Sequence, residues 1–485
     1  LIVGGDGNDI IIFESGDDTI GETYDGGSDF DSLLIRGPDD VVVNLTDDTV
    51  TSFETLIFSN EFGGNLGFQL LASQMGQFQT ITASAHVGLS YGVSIAMAGE
   101  TTLDLSGLAI TGMTEPGDGV TIVGDSDNEE IIGSAIQDTI QGLGGIDTIE
   151  GGMGADSIDG GSDFDMASYE GSATAVDVSL ISNTATGGDA AGDTLTGIEG
   201  LYGSSFNDTL EGDASANLLV GGAGNDILAG RGGADTLIGG AGDDTLEIVA
   251  SEEGVGNQYE GGADTDRVKI SGLGLNAVDF SDDTFNDIEI VEFDNSVGSS
   301  FVLQFNGEQL AALTGLEANT HTGGTNRLAI NMNVATILNL SGVTVTGLDQ
   351  PADGIDIIGD ADNEAIIGSV LKDNINGGDG DDTIEGFAEA DVLDGGTGTN
   401  TLSYSGSDAG VTVSLFANTA SGGHADGDVI SNFQNVVGSA FDDVLTGDSA
   451  ANNLDGGDGD NTVNYGNSDA AVQHHMDWGR GDGCR

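Results

Sequence analysis

The sequence predicts an all-β solenoid of short parallel strands, laid out as two tandem units of about 235 residues. Three observations carry that prediction. PGDGVTIVGDSDNEEIIG at residues 116–133 returns as PADGIDIIGDADNEAIIG at 351–368, an offset of 235 that also takes Gly4 to Gly239, Tyr169 to Tyr404 and Gly221 to Gly456. Within each unit a nine-residue period runs without gaps, as in GSSFNDTLE, GDASANLLV, GGAGNDILA, GRGGADTLI and GGAGDDTLE over 203–247. The 485 residues hold 83 Asp+Glu against 8 Lys+Arg, a formal net charge of −75, with 83 Gly and only 3 Pro.

Position 8 of the nonapeptide is aliphatic (Ile140, Ile149, Ile158, Leu210, Leu219, Leu228, Leu237, Leu246), positions 1, 2 and 4 favour Gly, and position 6 is usually Asp. One apolar residue in nine is too sparse for a helix. It suits a very short strand with one inward side chain, followed by a tight turn whose glycines take positive φ. A lone unit cannot bury its aliphatic face, so neighbours must stack. If two nonapeptides make one coil, each turn faces the turn 18 residues later. The facing pairs are then Asp138 with Asp156, Asp147 with Asp165, Asp208 with Asp226, Asp226 with Asp244, and Asp373 with Asp391. Carboxylates beside bare glycine carbonyls form an all-oxygen cage, which selects hard cations such as Ca²⁺.

The charge balance excludes nucleic acid, whose phosphates need clustered Lys and Arg. The single Cys excludes an intramolecular disulfide or a thiolate zinc site. No apolar run approaches the roughly 20 residues of a transmembrane helix. LIVGGDGNDI at the start lacks the features of a cleaved secretory leader, and the chain reads as a fragment or as a protein exported without one.

GGxGxDxUx resembles the hemolysin-type calcium-binding nonapeptide of RTX (repeats-in-toxin) proteins. Five stretches match GGxGxD in full: GGDGND at Gly4, GGMGAD at Gly151, GGAGND at Gly221, GGAGDD at Gly239 and GGDGDD at Gly377. The resemblance implies a right-handed parallel β-roll, several Ca²⁺ ions in the turns, and a type I secretion apparatus reading an uncleaved C-terminal signal. Carried onto this chain, it makes metal-site candidates of those five glycines and of Asp9, Asp18, Asp31, Asp138, Asp147, Asp156, Asp165, Asp208, Asp226, Asp235, Asp244, Asp266, Asp373, Asp382, Asp391 and Asp443.

In chain order, residues 1–34 are a nonapeptide array and 35–123 alternate apolar and polar residues without the nonapeptide. Residues 124–168 are a second array, 169–202 a linking β segment with alternation at Val176, Val178 and Leu180, and 203–269 a third array. The order then repeats as 270–358 without nonapeptides, an array at 359–403, a linking segment at 404–437 and an array at 438–473, before an atypical tail at 474–485. The stretches without nonapeptides are expected to be solenoid coils of wider cross-section. A short helix is expected near Phe68–Gly76 and another near Gly307–Thr314. Where position 6 is Glu129, Glu364, Asn217, Asn400, Asn452 or Asn461, or position 4 is Ile136, Phe206, Leu371 or Phe441, the turn is expected to bind weakly or to hold no ion. A bulky residue at positive φ would be strained.

GLSYG at Gly88–Gly92 matches GxSxG, but a nucleophile elbow needs a helix after the turn and VSIAMAGETTLDLSG reads as strand, so Ser90 is read as a turn serine. The histidines His86, His321, His424, His474 and His475 form no HExxH zinc motif. DSDNE at Asp125 and DADNE at Asp360 lack the Gly and Glu that an EF-hand loop needs at its sixth and twelfth positions. The RGD at Arg480–Asp482 belongs to the tail.

These readings converge on a secreted, noncatalytic calcium-binding protein or segment, extracellular or at a bacterial surface, with no catalytic residues. Two other readings stand beside it. One is the C-terminal folding and export module of a secreted protease, lipase or polysaccharide epimerase. The other is an adhesin or surface-layer element with cell-surface or glycan contacts.

Overall fold

The computed structural model describes residues 1–14, 21–36, 40–59, 64–84, 88–252, 254–272, 277–293, 300–318, 325–348, 350, 353–465 and 473–475. Asp18, His86, His321 and the tail from 476 onward lie outside them. Contacts divide the chain into two compact units, 1–245 and 246–485.

Glycines on both sides of one aliphatic residue limit how far a strand can run, and the strands are correspondingly short. In the first unit Gly119–Val123, Asp138–Gly144, Ser157–Ser162 and Thr194–Thr196 pair in parallel, so that Ile122, Ile140, Ile158 and Leu195 stand in register. The intervening nonapeptides build a second sheet, in which Leu103, Ile131, Ile149, Ala167, Leu201, Leu219 and Leu237 form one column. Every one of these side chains is buried. The second unit repeats the plan, with Ile330, Ile357, Ile375, Leu393 and Ile430 in one column and Leu338, Ile366, Ile384, Leu402, Val436 and Leu454 in another. Partners lie 18 residues apart, two nonapeptides per coil, in the arrays at 124–168 and 359–403 and over 209–241, whereas in the first array Ile2 pairs with Tyr24 and Ile10 with Ser32 at a spacing of 22.

Between residues 41 and 123 the coils lengthen. Leu56 pairs with Ile81 and Val93 with Val120, spacings of 25 and 27 residues. The wider interior takes aromatic rings: Phe58 stacks on Tyr91 at 5.3 Å and meets Phe68 edge-on at 5.4 Å. Phe280, Phe285 and Phe305 fill the equivalent space in the second unit. The expected helices are single turns, α-helical at Ala72–Met75 and 3₁₀ at Gly307–Leu310. Each sends a glutamine amide into the coil before it, where Gln74 Nε2 donates to the carbonyls of Leu45 (2.8 Å) and Asp48 (3.0 Å), as Gln309 Nε2 does to Phe280 and Asp283.

The linking segments break the parallel rule. Asp177–Ser179 and Thr184–Thr186 form an antiparallel hairpin, followed by a 3₁₀ turn at Gly188–Ala190, and Thr412–Ser414 with Thr419–Ser421 repeats it. The reversal uses a left-handed asparagine in each copy, Asn183 (φ 49°) and Asn418 (φ 53°), the residue type that tolerates that backbone best after glycine.

Candidate metal centres

Each coil hands a carboxylate to the coil before it. The backbone N–H of Asp138 donates to Asp156 Oδ1 (2.7 Å), Asp147 to Asp165 (2.9 Å), Asp208 to Asp226 (2.7 Å), Asp226 to Asp244 (2.8 Å) and Asp373 to Asp391 (2.9 Å). All five facing pairs are therefore neighbours along the stack. Asp9 donates in the same way to Asp31 (2.7 Å), and Asn217 to Asp235 (2.9 Å). At the ends of arrays other side chains take over: Asp31 donates to Glu54, Asp266 to Glu289, Asp382 to Asn400 and Asp443 to Asn461.

With Oδ1 committed to that bond, Oδ2 is left facing the position-1 glycine of its own turn. In Asp9, Asp31, Asp147, Asp156, Asp165, Asp226, Asp382 and Asp391 this oxygen is buried and accepts no hydrogen bond. The glycine has to be a glycine. A Cβ on Gly151 would stand 2.5 Å from Asp156 Oδ2, and one on Gly377 would stand 2.5 Å from Asp382 Oδ2 and 2.8 Å from the Gly395 carbonyl. On Gly221 it would meet both Asp226 Oδ2 and the Gly239 carbonyl, and on Gly4 the Gly26 carbonyl and Asp9 Oδ2. Position 1 does not take positive φ, so its glycine serves close approach rather than a left-handed turn. Positions 2 and 4 are left-handed as expected, for example Gly222 (φ 104°) and Gly224 (φ 121°). Their carbonyls lie against Gly240 and Gly242 of the next coil.

Burial without a counter-charge disfavours ionisation. It pushes Asp226 up to about 6, Asp156 to about 8 and Asp391 to about 9, each helped by a neighbouring carboxylate, Asp208, Asp138 and Asp373 in turn. Two basic residues stand in such turns, Arg231 at position 2 before Asp235 and Lys372 beside Asp373. Arg36, Arg231, Arg267, Lys269 and Arg327 pair with Glu14, Glu211, Glu292, Glu247 and Asp356, which lie on or beside strands. Among the described residues no three His, Cys, Asp or Glu gather as a ready-made metal cluster. An ion seated here would take two carboxylates and fill its shell with turn carbonyls, a donor set that fits Ca²⁺.

Four candidates differ. Asp138, Asp208, Asp373 and Asp443 sit in turns with Ser at position 2, where Ser134, Ser204, Ser369 and Ser439 donate both N–H and hydroxyl to the aspartate. The serine hydroxyl also accepts the N–H of position 4, closing the turn. Ile136, Phe206, Leu371 and Phe441 consequently do not adopt positive φ, and the strain expected of them is absent. Strain falls instead on position 2 at Leu143 (φ 75°), Arg231 (φ 73°) and Phe387 (φ 76°), and on position 4 at Glu389 (φ 70°).

The ladder also recruits residues that the nonapeptide did not point to. Asp193 and Asp428 in the linking segments accept the N–H groups of Asp156 (2.8 Å) and Asp391 (2.9 Å), and each also binds a buried tyrosine hydroxyl, Tyr169 or Tyr404. Asp118 and Asp353 cap Tyr91 and Asn326 in the wide coils. All four stand two residues before an inward aliphatic side chain, so Asp-x-aliphatic was the pattern that could have found them. Ser90 is followed by the strand Tyr91–Ala96 and not by a helix.

The family model for the RTX calcium-binding nonapeptide repeat (4 copies) matches residues 1–20, 132–167, 193–228, 202–237, 211–246, 367–402 and 435–469. The chain carries RTX calcium-binding nonapeptide repeats. These repeats bind several Ca²⁺ ions, and the parallel β-roll built from them is the fold seen here. The RTX match reaches into the linking segment at Asp193 and leaves the wide coils unmatched. No curated protein matches the chain. No helix among the described residues is long and apolar enough to cross a membrane.

Proposed function

We propose that this RTX chain is a secreted, noncatalytic calcium-binding scaffold whose folding outside the cell is driven by Ca²⁺. The ions would sit between successive turns, held by the aspartates at position 6 and by the carbonyls of the turn glycines. One observation carries this reading: buried Oδ2 atoms recur coil after coil with no donor, beside glycines on which a Cβ would collide with those oxygens and with the carbonyls of the next turn. Such oxygens oppose folding unless a cation or a proton satisfies them. In low Ca²⁺ the repulsion of −75 net charge keeps the chain extended, and at extracellular, millimolar Ca²⁺ binding to the folded form alone stabilises it. Export by a type I apparatus and release to the medium or the cell surface fit a chain that stays unfolded until it meets calcium.

Far-UV circular dichroism of the chain in chelator should show mostly coil, change to β on adding Ca²⁺, and revert with excess chelator. A spectrum indifferent to Ca²⁺ would sink the proposal.

A further inference from the structure

We propose that the turns at 124–129 and 359–364 each hold a divalent cation of the Ca²⁺ class, gripped by Glu129 with Asp147 in one and by Glu364 with Asp382 in the other. Neither turn follows the RTX motif. They read GDSDNE and GDADNE, and both glutamates lie outside the residues the family model matches. From sequence the glutamate turns were expected to be weak or empty. Their geometry points the other way.

Glu129 is 3% exposed and Glu364 2%. Neither Oε1 nor Oε2 accepts a hydrogen bond in either residue. The aspartate of the next coil spends Oδ1 on the glutamate's backbone, with Glu129 N–H donating to Asp147 at 2.8 Å and Glu364 N–H to Asp382 at 3.0 Å. Its Oδ2 is buried without a partner. Each site thus gathers three buried carboxylate oxygens with no donor among them. A carbonyl borders the same space: a Cβ on Gly124 would stand 2.7 Å from Glu129 Oε2 and against the Gly142 carbonyl, and a Cβ on Gly359 would stand 2.7 Å from Glu364 Oε2 and against the Gly377 carbonyl.

Oxygen is the only donor element present, and a hard cation is what such a set retains. The serine turns make the contrast. There the motif supplies its aspartate and the protein already satisfies it, whereas here the motif fails and the oxygens stay open. Buried carboxylate oxygens without a donor oppose folding, so each pair calls for either a proton or a cation. The arrangement recurs at both positions of the 235-residue repeat.

The inference rests on the calcium reading of the chain, and its test separates the two. Equilibrium dialysis of the full chain at saturating Ca²⁺ should give two ions fewer for the double variant Glu129→Gln, Glu364→Gln than for the natural sequence, with the β spectrum retained. An unchanged count means that the pairs share protons, and overturns the proposal. Should the variant fail to fold, anomalous difference density from crystals of the natural chain grown in Ca²⁺ decides. Peaks between Glu129 and Asp147 and between Glu364 and Asp382 support the sites. Peaks at Asp147–Asp165 and Asp226–Asp244 alone overturn them while leaving the calcium reading intact. A chain that takes up no Ca²⁺ anywhere overturns both.

Discussion

At Ser134, Ser204, Ser369 and Ser439 a hydroxyl and an amide supply what the GGxGxD turns must draw from outside the chain. The difference is testable one residue at a time. Ser204→Ala removes the hydroxyl that lies 2.9 Å from both oxygens of Asp208 and leaves a buried carboxylate short of donors. Urea unfolding in saturating Ca²⁺ should show a loss of about 1–3 kcal/mol, with the ion count by dialysis unchanged. A lost ion would mean that the serine turns bind metal after all. Position-1 glycine gives the opposite result. Gly221→Ala drives a methyl into Asp226 Oδ2 and the Gly239 carbonyl, and should weaken Ca²⁺ binding at that turn at least about tenfold, some 1.4 kcal/mol. Gly107→Ala, whose Cβ would meet nothing within 4 Å, is the matched control and should titrate like the natural chain. Equal calorimetric titrations of the two variants would remove the close-approach argument.

The coil is the element of this fold, and its length sets what it can contain. An 18-residue coil admits one aliphatic side chain per strand, while coils of 25 to 27 residues admit Phe58, Phe68 and Tyr91. The period of nine and the pairing at 18 were legible because an uninterrupted repeat fixes both which residue faces inward and which turn lies above. Three things were not legible. The hairpin at Asp177–Ser179 and Thr184–Thr186 alternates like any strand, and nothing local separates an antiparallel from a parallel partner. The serine turns looked strained because the motif assigns positive φ to position 4, and a side-chain hydrogen bond that redirects the backbone is invisible to a motif. The reach of the ladder into the wide coils at Asp118 and Asp353 was hidden because Asp-x-aliphatic carries meaning only once the coil length is known.

Across the whole molecule, both units hold turn carboxyls whose burial opposes ionisation. Burial holds Asp138 and Asp373 at about 7, Asp156 at about 8 and Asp391 at about 9, against about 4 in an unfolded chain. A value raised by folding contributes stability that is complete below the unfolded value and is lost as pH rises through the folded one. The metal-free chain should therefore gain β structure as pH falls from about 9 towards 4, protons standing in for calcium. Circular dichroism in chelator across that range checks it, and a chain that instead unfolds as the pH drops from 9 to 6 contradicts it. Mg²⁺ should replace Ca²⁺ poorly in the same assay, since it demands tight octahedral geometry and gives up its water reluctantly. Equal folding by the two ions at equal concentration would argue for plain charge screening. The direction of the carboxylate ladder has one more effect. Asp156 caps Asp138 and Asp165 caps Asp147, always from the higher-numbered coil to the lower. Trimming a unit from its amino end takes no carboxylate cap from the coils that remain, though it costs backbone donors such as Thr148 N–H their carbonyl, whereas each coil cut from the carboxyl end also uncaps the aspartate amide of the one before it, so the two ends of a unit tolerate shortening unequally.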